Sequence, residues 1–335
     1  MNYLGHLPHV DPLFDYLKYD IMPQLGIHSP VEFRVFKLNA SNAVYRYEEV
    51  HSHRVVIGKF FLSNGVGREV AERRLKREFH HLELMRYLGF DGRSVHYVAK
   101  PLGMNPSLNQ LLVEECCYGE LFSHIIDRAI RTHDDKLLYG KLTALAYFLA
   151  KFHNTTANEY PVEFNESCSY MDVITQRLRG QNVISHDELQ FLNYQRDIWR
   201  GRGEMWSDCQ VLVHGDATPE NFLFGDQLHV ITFDLERLRR SDRVYDVGRV
   251  AGELAHFFMV SSGNRYLAEP FIGHFLWEYA CHFPDRENTF RAISRRVPFF
   301  MGINFLRIAR NNYLTWNYRR QLVNAGKECL TAFIR

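Results

Sequence analysis

Three polar side chains in one short stretch, His214, Asp216 and Asn221, have the types and spacing that phosphoryl transfer uses. They follow an apolar run at 211–213 in the order H-x-D-x-x-x-x-N, and a second apolar run leads directly to Asp234. In this chemistry one carboxylate orients a hydroxyl, while another carboxylate and an amide oxygen hold Mg²⁺. We predict a strand, a polar loop and a β-hairpin that hold these groups at the edge of a small sheet. The alternative interpretation is an ordinary hairpin with solvated polar turns.

The composition is ordinary for a globular enzyme, with 46% hydrophobic residues, 24% charged residues and a formal net charge of +1 at pH 7. This charge gives no general attraction to nucleic acid or to an anionic membrane. No apolar run approaches the ~20 residues of a membrane span, and we see no secretion signal. The six cysteines lack C-x-x-C spacing, which favours reduced thiols. We therefore expect a cytoplasmic protein without nucleic-acid or membrane partners, and the oligomeric state stays open.

The first part of the chain shows strand patterns around a single buried-looking lysine. We predict five strands, at 33–38, 43–50, 54–62, 95–100 and 111–115, after a leading helix at 11–25. Lys59 lies inside the third, apolar strand, where a charge is costly without a partner. It is either an edge-strand lysine that faces water or a lysine that holds the α- and β-phosphates of a nucleotide.

The partner of such a lysine should be a glutamate on the predicted helix at 68–88. Glu78 lies at the polar border of the apolar stripe of that helix and is the expected partner, with Glu69 and Glu72 as alternatives. The strand LLVEE at 111–115 then leads into an extended crossover. Backbone groups in such a crossover can bond the edge of adenine, although a plain linker has the same pattern.

After residue 140 the chain is mostly helical in pattern. The helices expected there begin near residue 140 and continue at 170–179, 186–200, 248–260, 267–282, 286–296 and 303–332.

Taken in order, the motifs resemble those of the aminoglycoside phosphotransferase and choline kinase family. These motifs are NASNAVY (39–45), LLVEE (111–115), LAKFH (149–153), HGDATPEN (214–221), TFDLE (232–236) and YDVG (245–248), together with Lys59 and Glu78. The resemblance implies an α+β, bilobal protein-kinase-like fold. An N-terminal nucleotide-binding lobe at 1–115 would hold a five-stranded antiparallel sheet with a helix, and a mostly helical C-terminal lobe at 116–335 would hold the catalytic loop and the acceptor pocket.

The resemblance also implies a use of ATP and Mg²⁺ and a role for each motif residue. The implied roles are Asp216 as the catalytic base or orienting group, Asn221 and Asp234 as magnesium ligands, Lys59 on the phosphates with Glu78 bracing it, Ser41 and Asn42 in the loop over the phosphates, Glu114 and Cys116 as backbone partners of adenine, His214 in shaping the catalytic loop, and Asp246 in supporting it.

Departures from the protein-kinase pattern favour a small-molecule acceptor. The phosphate loop has NASNAV instead of G-x-G-x-x-G, Leu235-Glu236 follows Asp234 instead of Phe-Gly, no A-P-E follows, and Thr218 replaces the usual lysine. We therefore expect transfer to a hydroxyl of an amino alcohol, a sugar or an aminoglycoside-like molecule. Because glycines are missing, a nucleotide-binding regulatory protein without turnover remains the alternative, and a protein kinase is less favoured.

The acceptor site is expected near Glu236 and Glu253, which with nearby aromatic residues would suit an amine. Four arginines crowd the same loop and would suit an anion instead: Arg237, Arg239, Arg240 and Arg243. The preferred interpretation of these arginines is a solvated turn.

Overall fold

The structure, a computed structural model, describes residues 1–28, 31–38, 43–62 and 65–332. The strands are β1 (Asn2–His6), β2 (Phe33–Lys37), β3 (Ala43–Glu49), β4 (Val55–Phe60), β5 (His96–Val98), β6 (Pro101–Asn105), β7 (Leu111–Glu115), β8 (Glu120–Leu121), β9 (Val211–Val213), β10 (Phe222–Phe224), β11 (Val230–Thr232) and β12 (Arg239–Ser241). The α-helices are α1 (Pro12–Tyr16), α2 (Arg68–Tyr87), α3 (Phe122–Thr132), α4 (Asp135–Thr155), α5 (Phe164–Gly180), α6 (His186–Arg200), α7 (Val244–Ser262), α8 (Glu269–Ala280), α9 (Arg286–Ala309) and α10 (Trp316–Thr331).

The chain forms two compact units. Unit 1 comprises Met1–Gly119 and the short segment Ile231–Arg237. Unit 2 comprises Glu120–Val230 and the described residues from Leu238 onward. The segment after β11, which carries Asp234, therefore belongs to unit 1, although it follows the HGDATPEN loop (214–221) in sequence.

Unit 1 is built on a six-stranded antiparallel sheet in the order β1-β2-β3-β4-β7-β6. The prediction of five strands was too low, because β1 is largely exposed and pairs with β2 through its backbone without an apolar pattern. The predicted strand at 95–100 is also corrected. Only His96–Val98 is extended there, outside this sheet, and β6 takes the edge position beside β7.

The leading helical segment covers one face of this sheet. Asp11 caps it by accepting a hydrogen bond from the Leu13 N–H (2.9 Å), and Pro12 occupies the first helical position. Helical turns continue to Leu25, and Gly26 ends them with φ +78°, as predicted. The apolar side chains that this segment buries with the sheet are Leu13, Phe14, Leu17, Ile21 and Met22.

Helix α2 packs in unit 1 through a stripe of buried residues, which recur alternately every four and every three positions. The buried members are Ala71, Leu75, Glu78, Leu82 and Met85. Glu78 is thus inside the stripe and fully buried, whereas the sequence placed it at the polar border. A carboxylate can occupy such a position because an opposite charge meets it there.

Unit 2 is mostly helical, with short strand pairs whose strands β9 and β10 flank the HGDATPEN loop (214–221). β9 pairs with β12, and β10 pairs with β8. Helices α7 and α9 cross closely at Gly248, where an added Cβ would come within 2.4 Å of the Phe300 Cβ. Within the part of the chain that the structure describes, no helix combines the length and the hydrophobicity needed to cross a bilayer.

The helices at the end of unit 2 differ from the prediction. A single helix, α9, runs through Pro298, where the sequence analysis placed the gap between two helices. Helix α9 ends at Ala309. Thr315 then caps the start of α10 by accepting a hydrogen bond from the Tyr318 N–H. The helix persists through the proline because the apolar residues Val297 and Phe300 beside it remain buried.

Candidate active site

Lys59 is the centre of a charged group inside unit 1. Its ammonium lies 2.6 Å from Glu78 Oε1 and 3.2 Å from Asp234 Oδ1. Burial alone would lower the pKa of Lys59, but the Glu78, Asp234 and Glu114 carboxylates raise it well above its usual value. The lysine is therefore a buried, permanently charged group.

The predicted pairing of Lys59 with Glu78 is confirmed, and the alternative of an edge-strand lysine is wrong. β4 lies between β3 and β7, with Val44 and Leu112 opposite Lys59. Glu72, an alternative partner, instead bonds Lys76 on the helix surface at 2.6 Å.

Asp234 has a strained backbone. Its φ of +62° lies in the left-handed region, which few residues other than glycine adopt. The next carbonyl, that of Leu235, accepts a hydrogen bond from His81 Nδ1 at 2.8 Å, which helps to hold the segment against α2. Strain of this kind persists where surrounding contacts fix it, and it is frequent at functional sites.

Three carboxylates of unit 1 could share a cation. One oxygen each of Glu78, Asp234 and Glu236 lies within 4.8 Å of the others. Glu78 Oε2 is buried and has no hydrogen-bond partner among the described residues. Carboxylate oxygens are the donors that Mg²⁺ prefers, so this group fits a divalent ion. Glu236, which was predicted for the acceptor site, lies in this cluster.

Glu114 brings a further carboxylate to the same face of the sheet. It stands opposite Ile57 while Lys59 stands opposite Leu112, and residues two apart on paired strands share a face. The side chain is buried, and its Oε2 has no hydrogen-bond partner within the described chain. Burial, with Asp234 nearby, raises the pKa of Glu114 to about 7 against the opposing effect of Lys59.

The predicted adenine partners are the backbone groups of Glu114 and Cys116, and this role stays a prediction. Glu114 lies inside β7, and Cys116 directly follows the end of that strand. A role for the Glu114 side chain was not predicted from the sequence, because only the strand register shows which way it points. Ser41 and Asn42, the predicted phosphate-loop residues, lie outside the described residues.

In unit 2 the predicted catalytic loop, HGDATPEN (214–221), leaves β9 through a tight turn. Gly215 has φ +78°, a conformation that glycine adopts without strain. Asp246, in the first turn of α7, accepts hydrogen bonds from the N–H groups of His214 (2.6 Å) and Gly215 (3.0 Å). The predicted supporting role of Asp246 is therefore confirmed, since its carboxylate binds the loop backbone directly.

Asp246 is itself held by the LAKFH motif. His153 Nε2 lies 3.2 Å from Asp246 Oδ2, and His153 Nδ1 lies 2.8 Å from the Tyr279 hydroxyl. Burial alone would raise the pKa of Asp246, but the hydrogen bonds and charges of its neighbours hold it below its usual value. The motif histidine thus acts on the loop through a fully buried carboxylate.

The polar residues of the loop fold around the Asp216 carbonyl. The Thr218 N–H donates to that carbonyl at 2.7 Å, and the Asn221 side-chain amide donates to it at 2.8 Å. The amide nitrogen of Asn221 is a donor, so a cation at this side chain would bind the amide oxygen.

Arg249 was missed by the sequence analysis. Its Nη1 lies 2.5 Å from Asp216 Oδ1, and only 3% of the residue is exposed. The available signal was a lone arginine three residues after Asp246 in an otherwise apolar helix segment. Such a residue needs a buried anion as its partner.

The expected acceptor residue Glu253 has its charge balanced within unit 2. Its Oε1 accepts hydrogen bonds from Arg307 Nη2 (2.5 Å) and Asn304 Nδ2 (3.1 Å). Of the loop arginines, Arg243 is buried and pairs with Asp208 at 3.1 Å. The guanidinium of Arg239 lies 4.5 Å from the centroid of the Tyr245 ring. The solvated-turn interpretation is therefore wrong for these two arginines.

Solved structures of small-molecule kinases share this fold. An ethanolamine kinase from Plasmodium vivax superposes with a TM-score of 0.60 at 14% identity, over 97% of this chain and 89% of its own. Aminoglycoside phosphotransferase APH(2'')-Ib with ADP bound gives 0.59 at 13%, over 94% and 99%. An amicoumacin kinase in complex with AMP-PNP and Ca²⁺ gives 0.58 at 17%, over 96% and 94%. The predicted α+β, protein-kinase-like fold is confirmed.

Residues 32–281 match the model of the phosphotransferase enzyme family. Since the match covers most of the chain, the protein belongs to this family, as the sequence motifs indicated. A search of curated proteins found no match.

Proposed function

We propose that the protein is a magnesium-dependent kinase that transfers the γ-phosphate of ATP to a hydroxyl group of a small molecule. The observation that carries the proposal is the buried ion pair of Lys59 with Glu78, beside Asp234. Membership of the phosphotransferase family supports it, as do the nucleotides bound in structures with the same fold. A buried lysine with two acidic neighbours has no evident purpose in packing alone.

In this proposal Lys59 binds the α- and β-phosphates, and Glu78 keeps its ammonium in place. Asp234 and Asn221 would hold magnesium, and the proximity of Glu236 to Asp234 makes it a further candidate ligand. When bound, the ion would neutralise charge on the β- and γ-phosphates. Backbone groups of Glu114 and Cys116, with Ser41 and Asn42, would complete the nucleotide site.

Asp216 would orient the attacking hydroxyl and accept its proton. Phosphoryl transfer depends mainly on positioning and charge neutralisation, so a carboxylate that accepts the proton late is sufficient. The contacts of Asp246 with the preceding backbone N–H groups support this role, because they hold the loop in one conformation.

The acceptor is proposed to be an amino alcohol, a sugar or an aminoglycoside-like molecule. The structures with the same fold include an ethanolamine kinase and an aminoglycoside phosphotransferase, which fits this range. Glu253 would bind an amine only in competition with Arg307, which already contacts it. A substrate screen should therefore include neutral hydroxylated acceptors as well as amines.

The test is an ADP-release screen of the purified protein with ATP and Mg²⁺ against amino alcohols, sugars and aminoglycosides. With an accepted substrate, we expect Asp216→Asn and Asp234→Asn each to lower kcat by about a hundredfold or more. Asp187→Asn, at an exposed position on α6, is the matched control and should retain wild-type turnover. Wild-type rates in either site variant would refute the assigned roles.

Two other outcomes would point elsewhere. Magnesium-dependent protection by ATP in a melting assay, without turnover on any acceptor, would favour the regulatory nucleotide-binding protein. Labelled phosphate on protein rather than in the small-molecule fraction would indicate a protein kinase.

A further inference from the structure

In unit 2 an arginine of helix α7 contacts the predicted catalytic loop and brings a positive charge to it. Thr218, two residues after Asp216, occupies the position where protein kinases carry a lysine. Threonine cannot supply a charge. Arg249, on helix α7, places Nη1 at 2.5 Å from Asp216 Oδ1 instead.

Arg249 is held in one position by three contacts. Besides Asp216, Nη1 donates to the Gly215 carbonyl at 3.0 Å, and Nη2 contacts the Tyr245 hydroxyl at 3.0 Å. The guanidinium carbon also lies 5.0 Å from the Tyr245 ring centroid. A planar guanidinium fixed at both of its terminal nitrogens can define the orientation of the carboxylate that it touches.

The ion pair is also shielded from solvent. The Arg249 side chain is 4% exposed and that of Asp216 is 20% exposed. Burial alone would lower the pKa of Arg249, but Tyr245 and Asp216 raise it well above its usual value, so the guanidinium stays charged. Because water screens a buried pair weakly, the charge acts strongly on Asp216.

We propose that Arg249 is the positioning residue of Asp216: it holds the carboxylate in one orientation toward the acceptor hydroxyl, in place of the missing loop lysine. This inference rests on the proposed kinase function. It predicts that a variant of Arg249 loses turnover while its affinity for ATP is kept.

The experiment compares Arg249→Met and Arg249→Lys with the wild type. In Arg249→Met, kcat should fall about tenfold or more while the KM for ATP stays nearly constant, because the lost contact orients a group that acts only in the transition state. Arg249→Lys keeps the charge but not the planar guanidinium, and it should restore part of kcat.

Arg296→Met is the matched control. Arg296 is equally buried and pairs with Asp242 at 2.8 Å and Asp208 at 2.7 Å in the same unit. Its loss should lower the melting temperature while kcat stays close to the wild-type value. If Arg249→Met keeps the wild-type kcat, or loses kcat and ATP affinity together without rescue by Arg249→Lys, the proposal is overturned.

Further outcomes are decisive. If Arg249→Met does not fold, Tyr245→Phe removes one support of the guanidinium, and an unchanged kcat in that variant would reject the proposal. If the wild type transfers no phosphate to any acceptor, the proposed kinase function fails and the inference fails with it. If the wild type transfers phosphate and Arg249→Met does so at the same rate, only the inference fails.

Discussion

At the scale of single residues, the carboxylates around Lys59 in unit 1 outnumber the single positive charge of that buried lysine. Lys59 contacts Glu78 and Asp234, whereas Glu114 on the same face has no hydrogen-bond partner for Oε2 among the described residues. A buried polar group without a partner costs free energy, and natural proteins retain such groups mainly where they serve function. The free energy of unfolding should therefore depend on the charge of Glu114, and it should change with pH and when this residue is substituted.

Glu114→Gln should raise the stability of the ligand-free protein above pH 7. Burial raises the pKa of Glu114 from 4.5 to about 7, so the folded state binds the proton more tightly than the unfolded state. This contribution to the free energy of unfolding is full below pH 4.5 and is lost as the pH rises through about 7. The gain from the glutamine variant, measured by urea unfolding, should therefore be larger at pH 8 than at pH 5.

The control for this prediction is Glu83→Gln, at an exposed position on α2. It should change the free energy of unfolding by less than about 0.5 kcal/mol at either pH. A pH-independent difference between Glu114→Gln and the wild type would contradict the assigned cause.

Glu78→Gln should have the opposite effect on stability. It removes the closest partner of the buried Lys59 ammonium, and breaking a buried ion pair costs about 3 kcal/mol or more. Glu72→Gln breaks the exposed pair with Lys76 on the same helix and should cost less than about 1 kcal/mol. Equal losses in urea unfolding would show that burial does not govern the Lys59 pair.

At the scale of elements, close helix crossings in unit 2 depend on glycine. Gly302 on α9 faces Gly326 on α10, and an added Cβ on either would come within 3.1 Å of the carbonyl oxygen of the other. The crossing of α7 over α9 at Gly248 has the same character. Helix α7 carries both Asp246 and Arg249, which contact the predicted catalytic loop. The packing of α7 on α9 therefore helps to position these two residues.

Gly302→Ala and Gly326→Ala should each destabilise the protein by about 1–3 kcal/mol, because overpacking outweighs the gain in helix propensity. Gly140→Ala on α4 is the control, since a Cβ there meets nothing within 4 Å. It should stabilise the protein by about 0.5–1 kcal/mol. Melting temperatures that rise in all three variants would show that the two helices can separate without cost.

At the scale of the whole molecule, the fold uses no covalent cross-link. All six cysteines lie in the described part of the chain as free thiols, in agreement with the expectation from their spacing. The hydrophobic cores of the two units must therefore supply the stability. The thermal midpoint should be the same with and without dithiothreitol, and a lower midpoint after reduction would contradict this.

The sequence by itself determined the parts of the protein that local patterns encode. Alternating and helical periodicity predicted most strands and helices, and the buried character of Lys59 predicted its pairing with a glutamate of the next helix. The loop motif and the role of Asp246 were recognised because HGDATPEN and YDVG, each short in sequence, resemble motifs of the family.

Tertiary structure decided the contacts that join distant segments. Strand register placed the Glu114 side chain on the face of Lys59, and backbone pairing added β1 to the sheet without an apolar signal. Helix packing brought Arg249 to Asp216 across 33 positions of sequence. Because strand register and helix packing depend on the whole core, local periodicity does not predict which charged side chains contact each other.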